Sequence, residues 1–85
     1  MPAYVYMLRC KDDSLYTGWT NDLQHRLKVH ASGKGAKYTR GRGPLTLVYA
    51  EELVDKETAM KREWEIKSLT RTEKLALCAA WQQDK

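Results

Sequence analysis

Two cysteines and no long apolar run set the first limits on this 85-residue chain. Cys10 and Cys78 lie far apart in sequence with no paired metal-ligand spacing, which argues against a disulfide framework or a zinc site and for reduced, half-buried thiols. His25 and His30 are five apart, so on a helix they point in different directions and do not chelate one ion. The longest apolar stretch, Leu75 to Trp81, falls far short of the ~20 residues that span a bilayer. No basic segment followed by an apolar stretch opens the chain, so the expectation is a soluble, cytoplasmic protein with no membrane partner. Repeats, low-complexity segments and linkers are also missing. Dividing a chain this short would leave pieces unable to bury enough apolar surface, so residues 1–85 are read as one domain.

Acidic residues are absent from "GKGAKYTRGRG", Gly33 to Gly43, which holds Lys34, Lys37, Arg40 and Arg42. The chain has fifteen basic and eleven acidic residues, for a net charge of +4. Setting that segment aside leaves eleven of each, so the whole excess sits in one glycine-rich loop that also carries Tyr38. Glycine lets main-chain N–H groups approach a phosphate closely while lysine and arginine neutralise its charge. The expected partner is nucleic acid, bound through Lys34, Lys37, Tyr38, Arg40 and Arg42.

Residues Ala3 to Cys10 alternate and are rich in tyrosine and valine, as a strand requires, and Lys11 to Ser14 supplies turn chemistry. Leu15 to Thr20 resumes a strand. Period-two alternation puts Tyr4, Tyr6 and Leu8 on one face of the first strand and Tyr16, Gly18 and Thr20 on one face of the second. In matched register the two tyrosines flank a gap at Gly18, read as space for substrate backbone. Asn21 or Asp22 caps a helix with the stripe Leu23, Arg26, Leu27 and His30, ending at Gly33. A third strand runs from Leu45 to Leu53. Asp55 caps a second helix, Lys56 to about Leu69, with the inward stripe Ala59, Met60, Glu63 and Ile66 and with Trp64 beside it. Thr70 and Glu73 form a capping box for a third helix with the stripe Lys74, Leu77, Cys78 and Trp81. The expected fold is α+β: a three-stranded, mostly antiparallel sheet flanked by helices, in the order β-β-α-β-α-α.

Arg26, His30 and Glu63 interrupt the apolar stripes of their helices. A buried unpaired charge costs several kcal/mol, so each needs a partner or an opening to solvent. One reading is structural, an internal Arg26–Glu63 ion pair with a hydrogen-bonded His30. The other is a phosphodiesterase site. There, arginine presents a planar fork to phosphate oxygens, and a carboxylate holds a single Mg²⁺ or Mn²⁺. A tyrosine accepts a proton from water once nearby cations lower its pKa.

These residues resemble the GIY-YIG nuclease superfamily. "YVY", Tyr4 to Tyr6, stands at the first motif and "YTG", Tyr16 to Gly18, at the second. "NDLQHRLKVH" is similar to the family's arginine helix, giving Arg26 and His30. "AMKREWEIK" is similar to the helix with the metal-binding glutamate, aligned to Glu63, with Glu65 left on the charged face near Lys61. The basic segment resembles small stand-alone bacterial members of largely uncharacterised role. Tyr4 occupies a motif position usually given to glycine, and an appended DNA-binding domain is not expected. The resemblance implies a metal-dependent endonuclease fold with Tyr6 and Tyr16 as catalytic tyrosines, together with Arg26, His30 and Glu63. The function expected is phosphodiester hydrolysis on DNA, structure-selective on branched or damaged forms in repair or recombination. The alternatives are a nucleic-acid-binding module of the same fold without turnover and a protein-interaction domain.

Overall fold

The computed structural model describes residues 1–32 and 43–83. Its elements are β1 (Ala3–Arg9), β2 (Leu15–Thr20), α1 (Leu23–Ala31), β3 (Thr46–Leu53), α2 (Lys56–Lys67) and α3 (Arg71–Gln83). The strands form one sheet in the order β2-β1-β3, antiparallel at both pairings, so the expected architecture is found.

Each element starts where its local chemistry dictates. In the β1–β2 turn the Asp12 carboxylate accepts from the Ser14 amide and hydroxyl at 3.1 and 2.6 Å, and Asp13 takes a positive φ of 66°. Short polar side chains tolerate that conformation. Asp22 caps α1 by accepting from the His25 amide at 3.1 Å, and Asp55 caps α2 through the Thr58 amide at 2.9 Å. The capping box of α3 is reciprocal, Thr70 N–H to Glu73 at 2.9 Å and Glu73 N–H to Thr70 Oγ1 at 3.2 Å. Helix α1 stops at Ala31 with Ser32 as its C-cap; its expected end at Gly33 lies outside the described residues.

Central strand β1 is buried on both faces. Its odd residues Ala3, Val5 and Met7 join Val48, Tyr49, Ala59, Ile66 and Cys78 in the main core, over which α2 and α3 pack. A register irregularity after Met7 sets Tyr49 opposite Met7 but Leu47 opposite Leu8, and the extra residue lets Val48 and Tyr49 both enter the core. The even residues Tyr6 and Leu8, at 0% and 2% exposure, are covered from the other side.

One stripe differs from expectation. Ala59 and Ile66 are fully buried, but Met60 and Trp64 are 48% and 70% exposed. The inward positions of α2 are Ala59, Arg62, Glu63 and Ile66, because Arg62 turns its stem to the sheet and hooks a carboxylate on β3. That rotation carries Met60 and Trp64 outward. Both cysteines are free and buried.

Candidate active site

The register of the hairpin decides what lies beside Gly18. Tyr6 pairs directly with Gly18, and Tyr16 pairs with Leu8 one step along the same face. A Cβ built on Gly18 would lie 2.8 Å from Tyr6 Oη, 2.9 Å from Tyr6 Cζ and 3.0 Å from Tyr16 Cε2. The expected gap for substrate backbone is therefore occupied. Gly18 makes room for the Tyr6 ring itself, which lies across the glycine and shuts it off from any ligand.

Tyr6, Tyr16 and His30 form one aromatic cluster, with ring centroids 6.3 Å apart for the two tyrosines, 5.8 Å for Tyr6–His30 and 5.4 Å for Tyr16–His30. Tyr6 Oη lies 2.9 Å from His30 Nε2 in a buried contact. Arg26, one turn before His30 on α1, reaches the same hydroxyl and that of Tyr16. A guanidinium only donates, so toward the Tyr6 oxygen Arg26 acts as a donor. Burial pushes the His30 imidazole below its usual value, and Arg26 adds to the fall. That fall favours the neutral imidazole at neutral pH.

Burial likewise raises the Tyr6 hydroxyl above the ordinary tyrosine value, and the hydrogen bond from Arg26 opposes this without cancelling it. The nearby cation thus fails to turn Tyr6 into an easy proton acceptor. The two tyrosines differ in access: Tyr6 is fully buried and Tyr16 is half-buried.

Glu63 projects from the inward side of α2 with 21% of its side chain exposed, and Lys67 Nζ stands 3.6 Å from Oε2. Among the described residues no ion pair joins Arg26 to Glu63, so the structural alternative loses its central contact. Glu63 is felt at the tyrosine cluster, where its charge adds a small upward push to Tyr6. No group of three or more His, Cys, Asp or Glu among the described residues is arranged to hold a metal ion. A lone carboxylate suits a hard divalent ion, which keeps most of its waters and needs one or two protein oxygens. Lys34, Lys37, Tyr38, Arg40 and Arg42 lie outside the described residues.

A second polar network escaped sequence reasoning. Tyr49 donates its hydroxyl to Glu51 Oε1 at 2.7 Å, and Arg62 Nε donates to the same oxygen at 2.9 Å. Arg62 Nη1 reaches Glu65 at 3.4 Å, so Glu65 pairs with Arg62, not with Lys61. The available signal was spacing: Tyr49 and Glu51 share a strand face, and Arg62 falls three residues after the buried Ala59.

The family model described as the GIY-YIG catalytic domain matches residues 2–76, spanning the hairpin, α1, β3, α2 and the first half of α3. The chain belongs to the GIY-YIG family. GIY-YIG domains are typically nucleases and commonly use a divalent metal. The chain is 56% identical over 81 residues to the UPF0213 protein of Oceanobacillus iheyensis, covering 95% of this chain and 94% of that one. It is 60% identical over 77 residues to a UPF0213 protein of Clostridium perfringens, covering 91% and 83%. The solution NMR structure of a UPF0213 protein from Bacillus halodurans is similar with a TM-score of 0.61 at 55% identity, over 94% of this chain and 85% of that one. An E. faecalis protein solved by NMR gives 0.65 at 35% identity, over 98% and 88%. The resemblance to small bacterial GIY-YIG members is thereby borne out. Among the described residues no helix is long and apolar enough to cross a membrane.

Proposed function

We propose that this GIY-YIG protein is a metal-dependent endonuclease that hydrolyses phosphodiester bonds in DNA, with branched or damaged duplexes as its preferred substrates. The observation that carries the reading is the convergence of Arg26 on the hydroxyls of Tyr6 and Tyr16, beside a neutral His30. A guanidinium beside two phenols supports this reading, because its further donors would bind phosphate oxygens.

The two tyrosines divide the work. Tyr16, the more exposed, orients the attacking water, whose proton passes to the Tyr16 phenolate and leaves it a neutral phenol beside Arg26. Tyr6 is a positioning residue: buried and held protonated, it locks His30 on one side and Arg26 on the other. Glu63 is the residue that would hold a single Mg²⁺ or Mn²⁺, and such an ion supplies charge neutralisation at the phosphate and the leaving oxygen. The basic residues Lys34, Lys37, Arg40 and Arg42 would engage flanking phosphates, with Tyr38 stacking on a base.

The test is nicking of supercoiled plasmid and of branched duplexes with Mn²⁺ or Mg²⁺. Wild type should cut, while Arg26→Ala, Glu63→Gln and Tyr16→Phe should each lose on the order of a hundredfold or more in rate. A wild type that retards DNA yet cuts neither substrate would refute the enzyme and leave a binding module.

A further inference from the structure

A cleft lies at the outer edge of β2. It has a volume of about 240 Å³ and is lined by Leu15, Tyr16 and Thr17, by Lys67 in the last turn of α2 and by Lys74 near the start of α3. Among the described residues both charged groups on its wall are cations.

Lys74 stands on the inward stripe of α3 and is half-buried, yet among the described residues it makes no ion pair. Partial burial weakens hydration of an ammonium without supplying a counter-charge, so an oxyanion in the cleft would be favoured. Lys67 is paired only at 3.6 Å with Glu63 and is 54% exposed, so it is free to swing toward such an anion. Among the described residues β2 pairs with β1 alone in the sheet, and an outer strand edge presents backbone N–H groups. Tyr16 borders this cleft and also packs against Tyr6 and His30, so one side chain stands between the cleft and the cluster around Arg26.

We propose that the cleft is a second phosphate subsite, in which Lys67 and Lys74 bind a backbone phosphate of the strand whose neighbouring phosphate lies at Arg26 and Tyr16. This rests on the nuclease reading and extends it. It assigns the C-terminal end of α2 and the start of α3 to the substrate, in addition to the basic segment.

The full chain is titrated with a short oligothymidylate across a salt series, as wild type, Lys74→Gln, Lys67→Gln and, as a control at the far end of α2, Lys56→Gln. Inorganic phosphate is titrated separately while amide resonances are followed by NMR. Phosphate should shift Thr17, Lys67 and Lys74. Each of the first two substitutions should weaken oligonucleotide binding and reduce the slope of log affinity against log salt by about 0.7, the value for one lost single-strand contact. Lys56→Gln should change neither. Lys67 is largely exposed, so its variant keeps the test valid if Lys74→Gln proves unstable. If wild type binds the oligonucleotide and both cleft variants match it in affinity and slope, the subsite is refuted and the nuclease reading stands. Phosphate shifts in the cleft alongside an unchanged slope would assign it to a small free anion and equally overturn the proposal. A wild type that binds neither this oligonucleotide nor a branched duplex removes both.

Discussion

Replacing Gly18 by alanine adds one methyl group at the most crowded point of the hairpin. The new carbon would sit 2.8 Å from Tyr6 Oη, and relieving this to the 3.4 Å where ordinary contact begins requires a shift of about 0.6 Å. Tyr6 has no exposed surface into which to retreat, and its hydroxyl is fixed at 2.9 Å from His30 Nε2. Overpacking of this kind costs about 1–3 kcal/mol, offset by roughly 0.5–1 kcal/mol because alanine loses less chain entropy than glycine in a strand. The net, about 0–2.5 kcal/mol, corresponds to a fall in Tm of up to about 20 °C for a domain of this size. Circular-dichroism melts read the stability, and ¹⁵N shifts of the His30 ring read whether its Nε2 contact with Tyr6 survives. Gly43→Ala serves as the control, since a Cβ there meets nothing within 4 Å. If Gly18→Ala melts with wild type and leaves the His30 ring shifts unmoved, the argument that this glycine seats the Tyr6 ring is wrong.

Two further outcomes follow from the polar clusters. His30 titrates lower in the folded chain than its unfolded 6.5, so the unfolded state binds the extra proton first; the stability His30 contributes is complete above pH 6.5 and is lost as pH falls through its lower folded value. His30→Gln should flatten that part of the Tm profile between neutral pH and pH ~5, and a variant whose profile parallels wild type there would contradict the buried neutral imidazole. Arg62→Met should cost about 1–3 kcal/mol by leaving Glu51 without its guanidinium, and the double variant with Glu51→Gln should recover part of the loss in urea melts. Additive losses would show the contact to be idle.

Periodicity made most of the fold legible. Alternation in Tyr4–Leu8 and the caps at Asp22, Asp55 and Thr70 fixed the strands and helix starts, because those signals are local. Met60 and Trp64 were misplaced for a nonlocal reason: which of two adjacent helical stripes turns inward depended on Glu51, eleven residues away, capturing Arg62. At the site, the residue types were readable and their partners were not. Arg26 and Glu63 looked like a pair by charge, but the phenols of Tyr6 and Tyr16 take Arg26, and Lys67 takes Glu63. The role of Gly18 needed the register, since only direct pairing with Tyr6 lays that ring over it.

The position of β1 bears on how the site moves. Loops carry reactive groups in many proteins and open without disturbing the rest, but Tyr6 sits on the innermost strand of its sheet, with Ala3, Val5 and Met7 of the same strand in the main core. Its amide should therefore exchange with solvent only when the whole molecule opens, placing it in the slowest-exchanging set. The support of the site then shares the global free energy of folding, so heat or denaturant would dismantle the cluster and the fold in a single step.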